Sequence, residues 1–303
     1  MIKINQHQRA FKEAAEQDNK DLGKRPDWLK VKLPTGDNYS DVKNLMRRQK
    51  LNTVCEEARC PNIAECWNHR TATFMILGDT CTRSCGFCNV KLGLPTELDF
   101  DEPKRVVESV IELDLRHVVI TSVNRDELKD GGAAIFKECV RLINKLKPDC
   151  TVEILIPDFK GEEHAYEIIM QNPPHILNHN LETVPRLYHA VRPQAKYKRS
   201  LDLIRWFKNK GLKTKSGIMV GIGEKPEEVI ELMKDLVQYG CDILTIGQYL
   251  QPTKNHLPVD RFVTPEEFAM YKTEGLKLGF KIVESSPLVR SSYHADQQAR
   301  AIF

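Results

Sequence analysis

From residue 71 onward, apolar runs of strand length alternate with segments of helical period. That alternation leaves few folds open. The strand-like runs are Phe74–Leu77, His117–Thr121, Val152–Ile156, His175–Leu177, Ser216–Val220 and Asp242–Ile246. Between and after them lie helix-like segments at Pro103–Leu113, Ala133–Leu146, Glu162–Met170, Ser200–Lys210, Pro226–Tyr239 and Pro265–Leu278. Pro103, Pro226 and Pro265 each stand near a helix start, where a missing N–H is tolerated. Thr264, with Glu267 three residues on, reads as a capping box. Six β–α repeats in a row imply a parallel sheet, and right-handed crossovers curl such a sheet toward a barrel. The expected fold class is therefore α/β, a partial (β/α)6 TIM-type barrel over residues 71–284. An N-terminal extension covers 1–70 and a C-terminal tail 285–303; a strand-like stretch, Lys281–Glu284, leads into that tail. The extension is polar, with Pro26, Pro34 and Gly36 as breakers and Trp28 as its one large apolar anchor. It reads as an arm lying across the main body or as a partly disordered leader. Asp41 to Leu51 suits a short helix with Val42, Leu45 and Met46 on one face.

The chemistry sits in cysteines. Cys81, Cys85 and Cys88, spaced C-x3-C-x2-C, follow the first strand, at the C-terminal rim where such folds build active sites. The loop holds Gly86, is tight enough to aim three thiolates at one object, and has no fourth cysteine nearby. A 4Fe–4S cube carries one ligand per iron, so three thiolates leave one iron open to a small chelating ligand. A structural zinc site more often shows two short paired spacings, which are absent. Cys55, Cys60 and Cys66 form a second triplet, C-x4-C-x5-C. Buried core thiols are the alternative, but Glu56, Glu57, Arg59, Asn62 and Glu65 around them make a poor core. Six thiolates cannot share the corners of one cube, so the sequence points to two clusters. Cys139, Cys150 and Cys241 stand alone beside apolar elements and read as core thiols. With nine cysteines, an odd number, and a Met1–Lys20 stretch that is polar and carries both charge signs, a reducing cytoplasm is expected rather than a disulfide framework. The formal net charge of +3 gives no call for nucleic acid or an anionic membrane. No apolar run approaches the ~18–20 residues that span a bilayer.

Polar rim residues follow the other strands: Thr121–Asp126 with Gly131 and Gly132, Glu153, Asn178–Thr183 and Gly217–Glu224. Asp126, Glu153, Asn180 and Glu182 are the candidates for contacts to a cofactor or substrate. The alternative is ordinary loop polarity and turn glycines. The glycines near 217–223 lack the spacing of a dinucleotide fingerprint. No histidine pairing suggests a metal, and no general acid–base dyad stands out.

The C-x3-C-x2-C loop, with Phe87 before its last cysteine, resembles that of the radical S-adenosylmethionine (SAM) enzymes. The resemblance implies that the open iron binds the amino and carboxylate groups of SAM. An electron from the cluster then releases a 5′-deoxyadenosyl radical that takes hydrogen from an inert C–H bond. From about Arg25 to Asp296 the chain is similar to the lipoyl synthase family within those enzymes. The similarity is carried by both cysteine triplets, Asn178–Thr183, Val191-Arg192-Pro193 and Arg290-Ser291-Ser292-Tyr293. By composition alone the last of these is merely an exposed end. The resemblance implies that Cys81, Cys85 and Cys88 hold the SAM-binding 4Fe–4S cluster. It implies that Cys55, Cys60, Cys66 and, unusually, Ser292 hold an auxiliary 4Fe–4S cluster, with Arg290 beside that ligand. The implied reaction inserts two sulfur atoms, drawn from the auxiliary cluster, at carbons six and eight of a protein-bound octanoyl-lysine. Implied partners are octanoylated lipoyl-carrier domains (E2 subunits of 2-oxoacid dehydrogenases and the glycine cleavage H protein), an electron donor such as flavodoxin or ferredoxin, and an iron–sulfur carrier that rebuilds the cluster. A methylene has no acidic proton, so the missing acid–base dyad agrees with a reaction in which a radical cofactor does the hard step. Rival readings are a radical SAM enzyme that methylthiolates tRNA or ribosomal protein, expected to be more basic and to carry a further domain, and a zinc-dependent binding protein.

Overall fold

The computed structural model describes residues 22, 24–31, 37–69 and 72–303. The expectations for Met1–Lys20 and for the breakers Pro34 and Gly36 lie outside the described residues. An eight-stranded sheet organises the chain, in the order β1-β2-β5-β6-β7-β8-β9-β10. Its strands are β1 (Asn52–Thr53), β2 (Thr73–Ile76), β5 (His117–Ser122), β6 (Thr151–Leu155), β7 (Ile176–Asn178), β8 (Lys213–Val220), β9 (Ile243–Gln248) and β10 (Ile282–Ser285); β3 (Thr80–Cys81) and β4 (Lys91–Leu92) form a separate parallel ribbon. From β2 to β10 every neighbouring pair in the large sheet is parallel, and only β1 runs antiparallel, on the edge of β2. Strands β2, β5 and β9 are buried along nearly their whole length, as in a sheet covered on both faces, and β8 is buried too although it begins with Lys213, Thr214, Lys215 and Ser216.

Helices α1 (Asp37–Arg48), α2 (Val54–Glu57) and α3 (Ile63–Asn68) belong to the N-terminal extension. The crossovers carry α4 (Glu102–Glu112), α5 (Ala133–Leu146), α6 (Glu163–Met170), α7 (Tyr188–Val191), α8 (Tyr197–Asn209), α9 (Pro226–Gln238) and α10 (Pro265–Leu278); α11 (Ala295–Ile302) closes the chain. Pro103, Pro226 and Pro265 all sit in the first turn of their helices. Only half of the expected capping box forms. Thr264 Oγ1 accepts the Glu267 N–H at 3.3 Å, but the Glu267 carboxylate is taken by Arg261 at 2.7 Å. A charged partner in reach outcompetes the backbone N–H.

The strand-like stretch Lys281–Glu284 forms β10, a full parallel partner of β9. Two further features differ from the sequence reading. In the arm, Leu29 is the anchor at 1% exposure, whereas Trp28 is 42% exposed. The tail is not an exposed end. Its strand-side portion recrosses β9, where Gln248 N–H donates to Pro287 O at 3.1 Å. A Cβ on Gly247 would lie 2.0 Å from Val289 O, so only glycine lets the tail lie this close. Ala299 and Ile302 of α11 then pack on Ile176, Ile243 and Ile282, the first residues of β7, β9 and β10. The signal was present as an apolar stripe at Ala295, Ala299 and Ile302, four and three residues apart. Cys139, Cys150 and Cys241 are buried, as expected of core thiols.

Candidate iron–sulfur and cofactor site

Both cysteine triplets and Ser292 line one cavity of about 750 Å³ at the carboxyl ends of the strands. The loop of Cys81, Cys85 and Cys88 is fastened on three sides. The β3–β4 ribbon closes its base, with Gly93 N–H donating to Cys81 O at 3.0 Å. Thr82 N–H and Oγ1–H both donate to Asn124 O, at 3.1 and 3.0 Å. On the far side, Gly86 N–H reaches Val191 O at 2.9 Å and Gly86 O accepts Leu257 N–H at 3.0 Å. A Cβ on Gly86 would press on the Leu257 side chain at 2.9 Å, which explains the glycine. Arg83 anchors the loop from inside. It is buried, forks onto Asp126 at 2.7 and 2.9 Å, and meets the fully buried Asp158 at 2.6 Å.

The thiols are poorly placed to ionise alone. Burial pushes Cys88 up to about 12, aided by Cys85 and Cys81 beside it. Burial raises Cys85 to about 11 against the pull of Arg192. Cys55 rises to about 12 through burial and the neighbouring Cys60, and burial also raises Cys60, against the nearby Arg290. Thiols that crowd and repel once charged are what a bound cation set relieves, since metals bind the thiolate. Among the described residues no three His, Cys, Asp or Glu side chains are gathered as a single metal ion would hold them; a cube, with its ligands on separate irons, asks for a wider set.

Charged side chains couple the surroundings of the two triplets. Glu182 feels both Arg192, which also acts on Cys85, and Arg290, which also acts on Cys60; burial raises its pKa and both arginines oppose that. Its backbone is left-handed, at φ 68°, and is pinned to β8 through Gly217 O and Met219 N. Such strain in a non-glycine residue is typical of sites that must aim a side chain. Asn180 Nδ2 donates to Glu182 at 3.0 Å and to Ser291 Oγ at 2.7 Å, which ties this rim to the residue before Ser292. Arg192 Nη1 donates to Asn180 O at 2.6 Å. Among the described residues, five buried polar atoms of cavity-lining side chains have no hydrogen-bond partner: His117 Nε2, Ser122 Oγ, Asn124 Oδ1, Asn180 Oδ1 and Arg192 Nε. The same cavity also has apolar lining, from Met75, Val119, Leu155, Ile218 and Met219.

The structure therefore brings together Cys55, Cys60, Cys66, Cys81, Cys85, Cys88, Asn180, Glu182, Arg290 and Ser292. It does not bring Asp126 or Glu153 to the cavity wall. Asp126 is spent on Arg83. Glu153 lies deeper in the lumen, wholly buried, paired with Lys215 at 3.0 Å and accepting from Asn178 at 2.8 Å. Sequence reasoning gave no role to Arg83, Arg192 or Lys215. Arg83 stands among the loop cysteines and Arg192 between Val191 and Pro193, a setting where a charge needs a buried partner, whereas Lys215, flanked by Thr214 and Ser216, carries no such signal.

Comparisons with known proteins agree with this geometry. A model of the radical SAM superfamily matches residues 75–236, and one of the N-terminal domain of lipoyl synthase of the radical SAM family matches residues 2–60. The chain is 60% identical over 276 residues to a lipoyl synthase of Rubrobacter xylanophilus, covering 90% of this chain and 86% of that one. It is 54% identical over 279 residues to a lipoyl synthase of Koribacter versatilis, covering 91% and 92%. Among solved structures, SuiB of Streptococcus suis bound to S-adenosylmethionine superposes with a TM-score of 0.57 at 14% identity, over 82% of this chain and 61% of that one. The chain thus spans about three fifths of that protein. Methylornithine synthase (PylB) superposes with a TM-score of 0.50 at 16% identity, over 87% and 86%. At such identities these structures speak for the fold alone, a partial barrel.

Proposed function

The chain belongs to the lipoyl synthase family of radical SAM enzymes, and from that premise we propose how its residues carry the family's reaction. That reaction inserts two sulfur atoms, at carbons six and eight of a protein-bound octanoyl-lysine, and uses SAM and 4Fe–4S clusters. The cofactors supply a 5′-deoxyadenosyl radical for hydrogen abstraction and the sulfur that replaces hydrogen; the protein binds, orients and excludes water. Cys81, Cys85 and Cys88 hold the SAM-binding cluster. Cys55, Cys60, Cys66 and Ser292 hold the auxiliary cluster. Hydroxyl is a harder donor than thiolate and grips iron less firmly, which suits a cluster that surrenders atoms.

The single observation that carries this assignment is the convergence on one cavity of two thiol triplets, separate in sequence, together with Ser292 from the far end of the chain. The unpartnered atoms of Ser122, Asn124, Asn180 and Arg192 suit the polar groups of SAM, with Glu182 between the arginines as a further contact. The apolar wall of Met75, Val119, Leu155, Ile218 and Met219 suits an octanoyl chain. Arg83 and its two carboxylates hold the radical-forming loop in place. In this account Asp126 and Glu153 are positioning residues rather than contacts to SAM.

The acyl substrate arrives on lipoyl-carrier proteins. We assign E2 subunits of 2-oxoacid dehydrogenases and the glycine cleavage H protein as those carriers. A small reductant of flavodoxin or ferredoxin type would supply electrons, and an iron–sulfur carrier would rebuild the auxiliary cluster, in the cytoplasm. No helix among the described residues is long and apolar enough to cross a membrane. The test is anaerobic reconstitution followed by incubation with SAM, reductant and an octanoyl-lysine peptide, read by mass. Two sulfur insertions are expected from the parent protein. Cleavage of SAM without sulfur insertion is expected from Cys55→Ala; sulfur insertion by that variant would refute the assignment of the second triplet.

A further inference from the structure

Glu65 stands between Cys60 and Cys66, on α3, and is partly exposed to solvent. Its Oε1 accepts the Tyr293 hydroxyl at 3.0 Å and lies 3.4 Å from His294 Nε2. These partners are the two residues that follow Ser292. Their rings stack, with centroids 3.9 Å apart and planes at 21°. His294 takes a left-handed φ of 54°, a conformation histidine adopts more readily than most non-glycine residues. On the other side of Ser292, Asn62 Nδ2 donates to Leu288 O at 2.7 Å. Two side chains of the cysteine loop thus grip the tail before and after Ser292, across more than two hundred residues of sequence.

We propose that Glu65 is a positioning residue that keeps Ser292 on the auxiliary cluster by pinning Tyr293 and His294. The inference rests on the assignment of Ser292 as the fourth ligand. A hydroxyl binds iron weakly, so its occupancy depends on how closely its tether is held, as for any tethered weak ligand. Here the tether is fastened to the same loop that provides the three thiolates. Loop and serine then move as one body, and release of the serine requires the Glu65 contacts to break.

The test uses the full chain carrying Cys81→Ala, Cys85→Ala and Cys88→Ala, which retains only the auxiliary cluster. Release of iron to a ferrous chelator is followed without SAM or substrate, alongside the Mössbauer spectrum of the intact cluster. Glu65→Ala and Tyr293→Phe are each expected to speed release about tenfold, the scale of one charge-assisted hydrogen bond. The double variant is expected to be no faster than Glu65→Ala, and Glu65→Gln to fall between parent and Glu65→Ala. In a Ser292→Cys background, where a thiolate holds iron unaided, Glu65→Ala is expected to change nothing. Unchanged release in Glu65→Ala beside faster release in Ser292→Ala would overturn the role of Glu65 and leave the ligand assignment standing. Unchanged release in Ser292→Ala would instead remove the ligand assignment itself. An equal acceleration by Glu65→Ala in the Ser292→Cys background would show that Glu65 merely braces the loop, and would also overturn the proposal. Should Glu65→Ala take up no cluster, Tyr293→Phe, which loses only the donor, decides in its place.

Discussion

Arg83→Met is the substitution that most sharply tests how the radical-forming loop is held. Arg83 has a side chain of 3% exposure, bonded to Asp126 and to Asp158, which is 0% exposed. Methionine fills much of the volume but leaves two carboxylates without that partner. Asp158 keeps Arg199 at 3.0 Å and the Lys160 N–H at 3.0 Å; Asp126, 29% exposed, turns to water. Removing one member of a buried ion pair costs roughly 3–5 kcal/mol, a large share of the roughly 5–15 kcal/mol of a whole domain. The arginine's burial means solvent screening hardly discounts this figure. The pH dependence carries a signature. Asp158 is held at about 2, below its ordinary 3.8, by Arg83 and other donors that outweigh its burial. A depressed carboxylate contributes stability above its unfolded pKa and loses it as pH falls. The parent's advantage over Arg83→Met should therefore be full at pH 7 and shrink as pH drops from 3.8 toward 2. Guanidinium denaturation of the cluster-free chain under reducing conditions measures the stability, and iron content after reconstitution measures the loop. A loss below about 1 kcal/mol, with the first cluster still loading fully, would refute the reasoning, because that value is typical of an exposed pair.

Other consequences follow from the buried charges. Lys215→Met should destabilise by roughly 3–5 kcal/mol by stranding Glu153, and adding Glu153→Leu should restore most of the loss; denaturation of the two variants would show additivity if the pair is not coupled. Glu102 is pushed up to about 7 by burial while its carboxylate accepts the Leu77 N–H at 2.7 Å. A raised carboxylate is most favourable below its unfolded pKa of 4.5, and its contribution is lost as pH rises through about 7. Relative to the parent, Glu102→Gln should therefore gain up to about 3 kcal/mol between pH 4.5 and 7, taking about 1.36 kcal/mol per unit; parallel stability curves for the two proteins would contradict it.

The barrel was legible because its signal is repeated. Six strand runs and six helical segments each supply a weak pattern, and prolines at Pro103, Pro226 and Pro265 mark the starts. The cysteine triplets were legible because ligand spacing is a local property of the chain. The rest depended on partners distant in sequence. Glu153 and Asp126 read as cofactor contacts because both are acidic residues on the sheet or its rim. What diverts them is Lys215, 62 residues away from Glu153, and Arg83, 43 residues away from Asp126. The docking of the tail leaves little trace in the sequence because it relies on what Gly247 lacks and on small residues, Ala295 and Ala299, that carry little hydrophobic signal. Trp28 reads as the anchor by size alone, but position decides burial and Leu29 takes the buried place.

The central claim is that two separate cubes are caged by six thiolates and one hydroxyl. It is tested most directly by iron counting on anaerobically reconstituted protein, with Mössbauer spectra of the parent and of each triplet variant. About eight irons per chain are expected for the parent and about four for each variant in which one triplet is changed to alanine. A parent that holds only about four, or a variant lacking Cys55, Cys60 and Cys66 that still holds about eight, would contradict the account.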